Sequence, residues 1–197
     1  MRTRGFCGQI CALMAVAAAA AFLGLAAFQF PTEARAARSS YSFDGGTSGE
    51  RATVRRALAA SAFHWEVVPG HVTIHILRRG GCGATKGQIW LSAKMLARGQ
   101  ASWGVVQHEY AHQVDFFLLD ESVRKKLDEL LGGKTWWPGL SKLRHDQYGA
   151  ERFASTLAWA YWPSWHNALI RYARAEATAM APARFRRLMT ELLARRS

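Results

Sequence analysis

The chain has 197 residues, of which half are hydrophobic and 20% are charged. This length suits one domain of ordinary size, and the composition excludes a disordered, highly charged chain because enough apolar surface is present to form a core. The formal net charge of +12 indicates either an anionic partner or a solvated basic surface.

The first 36 residues have the features of an export signal. Two arginines lie among the first four residues, an apolar run extends from residue 10 to residue 30, and the sequence ARA at residues 34–36 fits a small-x-small cleavage site. The apolar run is nearly long enough to span a bilayer as a helix, so a retained N-terminal anchor stays an alternative. In either case we expect the rest of the chain to be secreted or extracytoplasmic.

Without residues 1–36, the chain keeps 23 basic and 13 acidic residues, a net charge of +10. For an exported protein, this charge favours anionic cell-envelope polymers or lipid headgroups as partners, and contact with a membrane is expected only if the N-terminal segment is retained. Nucleic acid is not expected as a partner, and a basic surface that only aids solubility explains the charge equally well. Cys82 is the only cysteine outside the N-terminal segment, so we expect no internal disulfide.

The remaining elements can be taken in chain order. Residues 37–49 are small, polar and rich in glycine, which predicts a linker before a domain over residues 50–197. A helix is predicted to begin near Ser48, with Thr47 or Ser48 as its N-cap. The hydrophobic pattern predicts strands at 63–68, 71–77 and 87–92, and helices at 93–98, 101–119, 121–131, 148–161, 164–178 and 183–195. A few strands followed by several helices predict an α+β fold.

The helix predicted at residues 101–119 contains the sequence HEYAH. Residues four apart lie on one face of a helix, about 6 Å apart along its axis, so His108 and His112 can both bind one cation. Glu109 lies beside His108, where it can take a proton from a water molecule at the cation. A shuffled chain of this composition would contain the HExxH pattern in roughly 1% of cases, so composition alone does not explain it, and its position within an apolar helix strengthens the metal-site interpretation.

A catalytic zinc site needs a third protein ligand and an open coordination position. Glu151 is the strongest candidate because it begins an apolar helix, where an unpaired carboxylate would be costly. A favourable interaction with the helix dipole would also explain a glutamate at this place. The upstream motif favours the ligand interpretation, so we predict Zn²⁺ bound by His108, His112 and Glu151.

The sequences HEYAHQVDFF and AERFAS resemble the gluzincin metallopeptidases. The resemblance is greatest to the HExxHxxD branch, which includes the anthrax-lethal-factor-type catalytic domain and the secreted Pro-Pro endopeptidases, and it covers about residues 72–162. It implies a zincin-like fold, with a small twisted sheet whose edge strand binds extended substrate, an active-site helix and a glutamate helix.

The resemblance also implies roles for individual residues. The three predicted ligands match the ligands of the family, and Glu109 matches its general base. Asp115 matches an aspartate that orients an imidazole or braces the site. The family usually adds a tyrosine or histidine that stabilises an anionic oxygen. Tyr148 is the leading candidate because it lies three positions before Glu151, on the same face if the predicted helix continues, and His145 is the alternative.

Two functional hypotheses follow from these residues. The first is an exported zinc metallopeptidase, an endopeptidase acting on peptide or protein substrates. The alternative is a catalytically inactive zincin-like or structural-zinc module that binds the cell envelope. Four filled coordination positions would favour the alternative, whereas the presence of Glu109 favours the first hypothesis, because a purely structural site needs no base there.

Overall fold

The structure is a computed structural model that describes residues 41–139 and 142–194. The predicted export signal and the alternative membrane anchor, both within residues 1–36, lie outside the described residues. Among the described residues, every helix is too short or too polar to span a bilayer.

Four short strands form one mixed sheet. They are β1 (Tyr41–Gly45), β2 (Val72–Leu77), β3 (Gly83–Thr85) and β4 (Gln88–Ser92), and they lie in the order β1-β2-β4-β3. β2 pairs in parallel with β1 and with β4, whereas β3 runs antiparallel to β4 and forms an edge. Val72, Ile74 and Ile76 alternate into the core, as the period of two predicts for a strand with one buried face.

The structure differs from the sequence prediction on both sides of the first helix. The segment predicted as a linker contains β1, because Tyr41 and Phe43 pack against the core while the backbone pairs with β2. The strand predicted at 63–68 is instead a 3₁₀ turn at Trp65–Val67. In this turn the Val67 and Val68 N–H groups donate to the His64 and Trp65 carbonyl oxygens at 3.1 and 3.2 Å, and the indole nitrogen of the buried Trp65 donates to the Leu58 carbonyl oxygen at 3.1 Å.

The helices follow the predicted order. They are α1 (Ser48–Ala60), α2 (Ala93–Leu96), α3 (Trp103–Leu118), α4 (Glu121–Leu131), α5 (Gly149–Tyr161), α6 (Leu169–Tyr172), α7 (Arg174–Ala177) and α8 (Pro182–Ala194). Thr47 caps α1 in a capping box with Glu50. The single helix predicted at 164–178 is divided into α6 and α7 at Ala173. A small sheet with surrounding helices confirms the α+β prediction.

α5 is the central helix of the fold, and it packs against α3, α4, α7 and α8. Its first residue, Gly149, must be small, since an added Cβ would lie 2.1 Å from Asp128 Oδ1 and 2.7 Å from Trp136 Cε3. This close approach fixes the start of α5 against α4. Glu151 therefore projects from a part of the helix with little freedom to move.

Candidate metal centre

Two packed helices supply the three predicted ligands. α3 carries His108 and His112 one turn apart, and α5 carries Glu151 in its first turn. Glu151 Oε2 lies 3.1 Å from His108 Nε2 and 3.5 Å from His112 Nε2. The two Nε2 atoms lie 3.3 Å apart. The structure thus brings the three side chains together around one point.

The separations between these atoms test whether a metal ion fits. A tetrahedral zinc ion with bonds of about 2.0–2.1 Å holds its ligand atoms about 3.3–3.4 Å apart. The observed 3.1, 3.3 and 3.5 Å scatter evenly around that value. The group can therefore hold an ion, and two imidazoles with one carboxylate suit zinc as well as other first-row divalent metals.

The carboxyl group of Glu151 and the neighbouring imidazoles change each other's pKa values. Burial disfavours ionisation of Glu151, but the hydrogen bonds with His108, His112 and His145 outweigh it and hold the pKa of this carboxyl far below its ordinary value. Burial also opposes protonation of His108, yet its hydrogen bond with Glu151 raises the pKa of the imidazole. Without an ion the His108 imidazole thus tends to carry a proton, which a metal would displace.

Glu109 lies beside the ligands and is itself buried. Burial raises the pKa of Glu109 above its ordinary value, and the nearby His108 and His112 partly oppose this shift. Since Glu109 lines the same cavity as the ligands, the carboxylate is placed to accept a proton there. This position is the one that the HExxH pattern predicts.

The two oxyanion candidates occupy different environments. His145 lines the cavity, and its Nε2 lies 3.0 Å from Glu151 Oε2; hydrogen bonds with Glu151 and Glu176 raise the pKa of His145 to about 10. Tyr148 is only 7% exposed and is not among the residues that line the cavity. The reason is that α5 begins at Gly149 and Tyr148 has extended backbone angles, so it does not share a helical face with Glu151.

Asp115 lies in the ligand-bearing helix α3 and links it to neighbouring segments. It is fully buried, and its two oxygens accept hydrogen bonds from Arg124 Nε at 2.8 Å and from Trp136 Nε1 at 3.0 Å. These contacts tie α3 to α4 and to the segment before α5. Of the two roles predicted for Asp115, the hydrogen bonds match bracing rather than direct orientation of an imidazole.

Sequence reasoning missed the support behind His108. Ser155 Oγ lies 3.0 Å from His108 Nδ1, and the Ser155 hydroxyl also contacts Glu176 Oε2 at 2.9 Å. Glu176 Oε1 lies 2.8 Å from His145 Nδ1. A glutamate among alanines in the sequence RAEATA was the only local signal of this arrangement.

An open cavity of about 480 Å³ lies in front of the ligands. Part of its lining comes from the edge strand β3 and the residue before it, with Cys82, Gly83 and Ala84. Phe116 and Trp137 also line the cavity, and their rings stack in parallel with centroids 5.3 Å apart. The lining thus combines small residues at the sheet edge, two aromatic rings and the three candidate ligands.

The fold and the site define an α+β protein with a candidate mononuclear metal centre beside an open cavity. Comparison of the chain with protein-family models, with curated proteins and with solved structures gives no match. The functional argument therefore starts from the geometry of this centre.

Proposed function

We propose that the chain is an exported zinc metallopeptidase with a zincin-like fold, in which His108, His112 and Glu151 hold the ion. The observation that carries the proposal is the convergence of these three ligand atoms, at separations that suit a tetrahedral ion, next to the buried carboxylate of Glu109. The open cavity supports a catalytic site rather than a structural one, since a structural zinc site is closed by four protein ligands.

Zinc held by His108, His112 and Glu151 would supply a Lewis acid that polarises the scissile carbonyl group and lowers the pKa of water. Glu109 acts as the general base: it takes a proton from the attacking water and returns it to the leaving amine nitrogen. The raised pKa of Glu109 suits this work because a base is most effective when its pKa approaches the working pH.

We assign the stabilisation of the developing oxygen anion to His145 in place of Tyr148. His145 lines the cavity, and its Nε2 lies 3.0 Å from Glu151 Oε2, beside the other ligand atoms. When that oxygen binds the ion, the Nε2–H group would become free to donate to the anion, which is the kind of contact that stabilises it.

The residues that line the cavity favour an extended peptide as the substrate. The wall at β3 is a sheet edge with small residues, and an edge strand can pair with the backbone of an extended chain. Phe116 and Trp137, which line the same cavity, offer apolar ring surface to a substrate side chain. The candidate ligands, Glu109 and the residues that line the cavity thus support hydrolysis of a peptide bond as the reaction.

The test is a comparison of wild type with Glu109→Gln. Wild type is expected to bind one zinc ion per chain at neutral pH and to cleave a peptide library. Glu109→Gln is expected to bind zinc equally well but to lose about 10²–10⁴-fold in cleavage rate, because only the proton transfer is removed.

The outcomes separate the two parts of the proposal. A wild-type chain that retains no stoichiometric zinc contradicts the metal centre. A Glu109→Gln variant that binds zinc and cleaves peptides like wild type contradicts the assignment of the base. Zinc binding without any cleavage by wild type favours the inactive envelope-binding module.

A further inference from the structure

A buried carboxylate lies behind the candidate metal centre. Glu176, in the short helix α7, is only 3% exposed. Its Oε1 contacts His145 Nδ1 at 2.8 Å, and its Oε2 accepts a hydrogen bond from the Ser155 hydroxyl at 2.9 Å. Ser155 Oγ in turn lies 3.0 Å from His108 Nδ1. Because a buried carboxylate is stable only with such partners, these contacts explain its burial and connect it to two histidines.

The contacts of Ser155 with Glu176 and His108 determine which atoms carry the hydrogens. A serine hydroxyl has a single hydrogen, and Ser155 donates it to Glu176 Oε2. The Ser155 hydrogen therefore points to Glu176, and Ser155 offers lone pairs alone to His108. His108 Nδ1 must then supply the hydrogen of its contact with Ser155, which leaves Nε2 as the nitrogen with a free lone pair in neutral imidazole. Nε2 is the atom that faces Glu151 and His112.

We propose that Glu176 is a positioning residue of the metal centre. Through Ser155 it fixes His108 with Nε2 as the metal-binding nitrogen, and through its direct contact it holds His145 at the cavity. The inference rests on the proposed function, which it deepens: one carboxylate orients both a metal ligand and the group that meets the developing anion. Partners of this kind fix the ring orientation and the basicity of ligating histidines.

α5 offers a matched pair of variants for the test. Ser155 and Thr156 are neighbours, both are fully buried, and both hydroxyls donate to Glu176: Ser155 to the carboxylate, Thr156 to the backbone oxygen at 2.8 Å. Ser155→Ala and Thr156→Val each remove one such hydrogen bond. Only Ser155 also contacts His108, so only Ser155→Ala interrupts the connection to the ligand.

The first measurement is zinc affinity, by competition with a chromophoric chelator on the purified chain. Ser155→Ala is expected to weaken zinc binding by about 10–100-fold, the usual effect of losing such a partner. Thr156→Val is expected to bind zinc like wild type, even if its midpoint of thermal unfolding falls. A role of Ser155 in stability alone would make the two variants behave alike in zinc binding.

The second measurement separates the two contacts of Glu176. Glu176→Gln replaces one accepting oxygen with a donating amide, so we expect it to weaken zinc binding like Ser155→Ala. At saturating zinc, Ser155→Ala should recover its kcat for peptide cleavage. Glu176→Gln should remain slow in kcat with little change in KM, because His145 has also lost its fixed acceptor.

The outcomes distinguish this inference from the proposed function. Zinc affinities of Ser155→Ala and Glu176→Gln equal to that of Thr156→Val overturn the inference and leave the metal centre standing. A wild-type chain that binds no zinc overturns both. ¹⁵N NMR of zinc-loaded wild type gives an independent readout that needs no variant: a hydrogen on His108 Nδ1 supports the inference, and zinc coordination through Nδ1 overturns it.

Discussion

Gly83 lines the cavity in the edge strand β3. A Cβ added there would meet no heavy atom within 4 Å, and its backbone lies outside the left-handed region that favours glycine. Neither packing nor conformation therefore requires glycine. We expect Gly83→Val to leave the midpoint of thermal unfolding unchanged and to lower kcat/KM for peptides by about tenfold, because the side chain enters the space for substrate.

Gly81 provides the control for this prediction. A Cβ added at Gly81 would also meet no heavy atom within 4 Å, and Gly81 is not among the residues that line the cavity. Gly81→Val is expected to match wild type in both stability and cleavage. Equal losses of cleavage in the two variants would show that a general change in the loop, rather than obstruction of the cavity, is responsible.

His75 is a second residue with a testable consequence. Its Nδ1 lies 2.7 Å from Asp44 Oδ2 and its Nε2 lies 2.6 Å from Gln88 Oε1, so the imidazole of β2 connects β1 and β4. The hydrogen bond with Gln88 raises the pKa of His75; burial opposes this shift and the contact with Asp44 reinforces it. An imidazole between two acceptors is most stable when both nitrogens carry hydrogens.

The raised pKa determines the direction of the pH effect. The stabilisation from His75 is fully present below the unfolded pKa near 6.5 and is lost as the pH rises through the higher folded pKa. We expect the His75 ring signals to titrate in NMR with a midpoint above about 6.5. The difference in unfolding free energy between wild type and His75→Gln should shrink as the pH rises; a midpoint at or below 6.5 contradicts the prediction.

At the scale of secondary-structure elements, Asp115 joins α3, α4 and the segment before α5. Asp115→Ala would leave Arg124 Nε and the indole of Trp136 without their acceptors, while Arg124 Nη2 keeps its hydrogen bond to the backbone oxygen of residue 115. We expect a loss of about 3–5 kcal/mol in unfolding free energy, as for other broken buried ion pairs, measured by urea denaturation. Arg144→Ala, which breaks the exposed pair with Asp146, should have no measurable effect; equal effects would refute the bracing role.

The helices that carry the ligands could be predicted because their signals are local. The spacing of His108 and His112 within α3, and a carboxylate at the start of an apolar α5, are both visible within a few residues. β1 could not be predicted in this way. Its five residues lie among glycines and polar residues, and they form a strand only because β2 offers backbone partners to Tyr41–Gly45.

The remaining parts of the site depend on distant contacts. His145 and Ser155 meet Glu176 across 31 and 21 positions of sequence, so no helical or strand period connects them. The sequence favours Tyr148 over His145 only if the helix includes both Tyr148 and Glu151, and the helix begins one residue after Tyr148. The choice between the two candidates thus depended on a helix boundary, which sequence patterns locate poorly.

At the scale of the whole molecule, the basic charge predicts salt-sensitive binding to anionic polymers. Residues 37–197 carry a net charge of +10. We expect retention on a polyphosphate matrix at low ionic strength and release in salt, since the screening length falls from about 10 Å at 0.1 M to about 3 Å at 1 M. Replacing the exposed Arg184 and Arg187 of α8 with serine should lower the salt needed for elution.

Failure of the domain to be retained at low salt would contradict an anionic polymer as partner. The charge would then serve solubility alone. Retention that persists unchanged at high salt would also contradict the prediction, because an electrostatic contact between exposed groups is screened there.

The ligands of the candidate centre come from helices that are distant in sequence, with His108 and Glu151 separated by 43 positions. An unfolded chain lacks the three-ligand site, so an ion that binds it stabilises the folded state, by about 2.7 kcal/mol at a free concentration 100 times its Kd. A chelator should therefore lower the midpoint of thermal unfolding, and Glu151→Ala should abolish that response. The lifetime of the folded protein would then depend on the metal supply of the compartment in which it works.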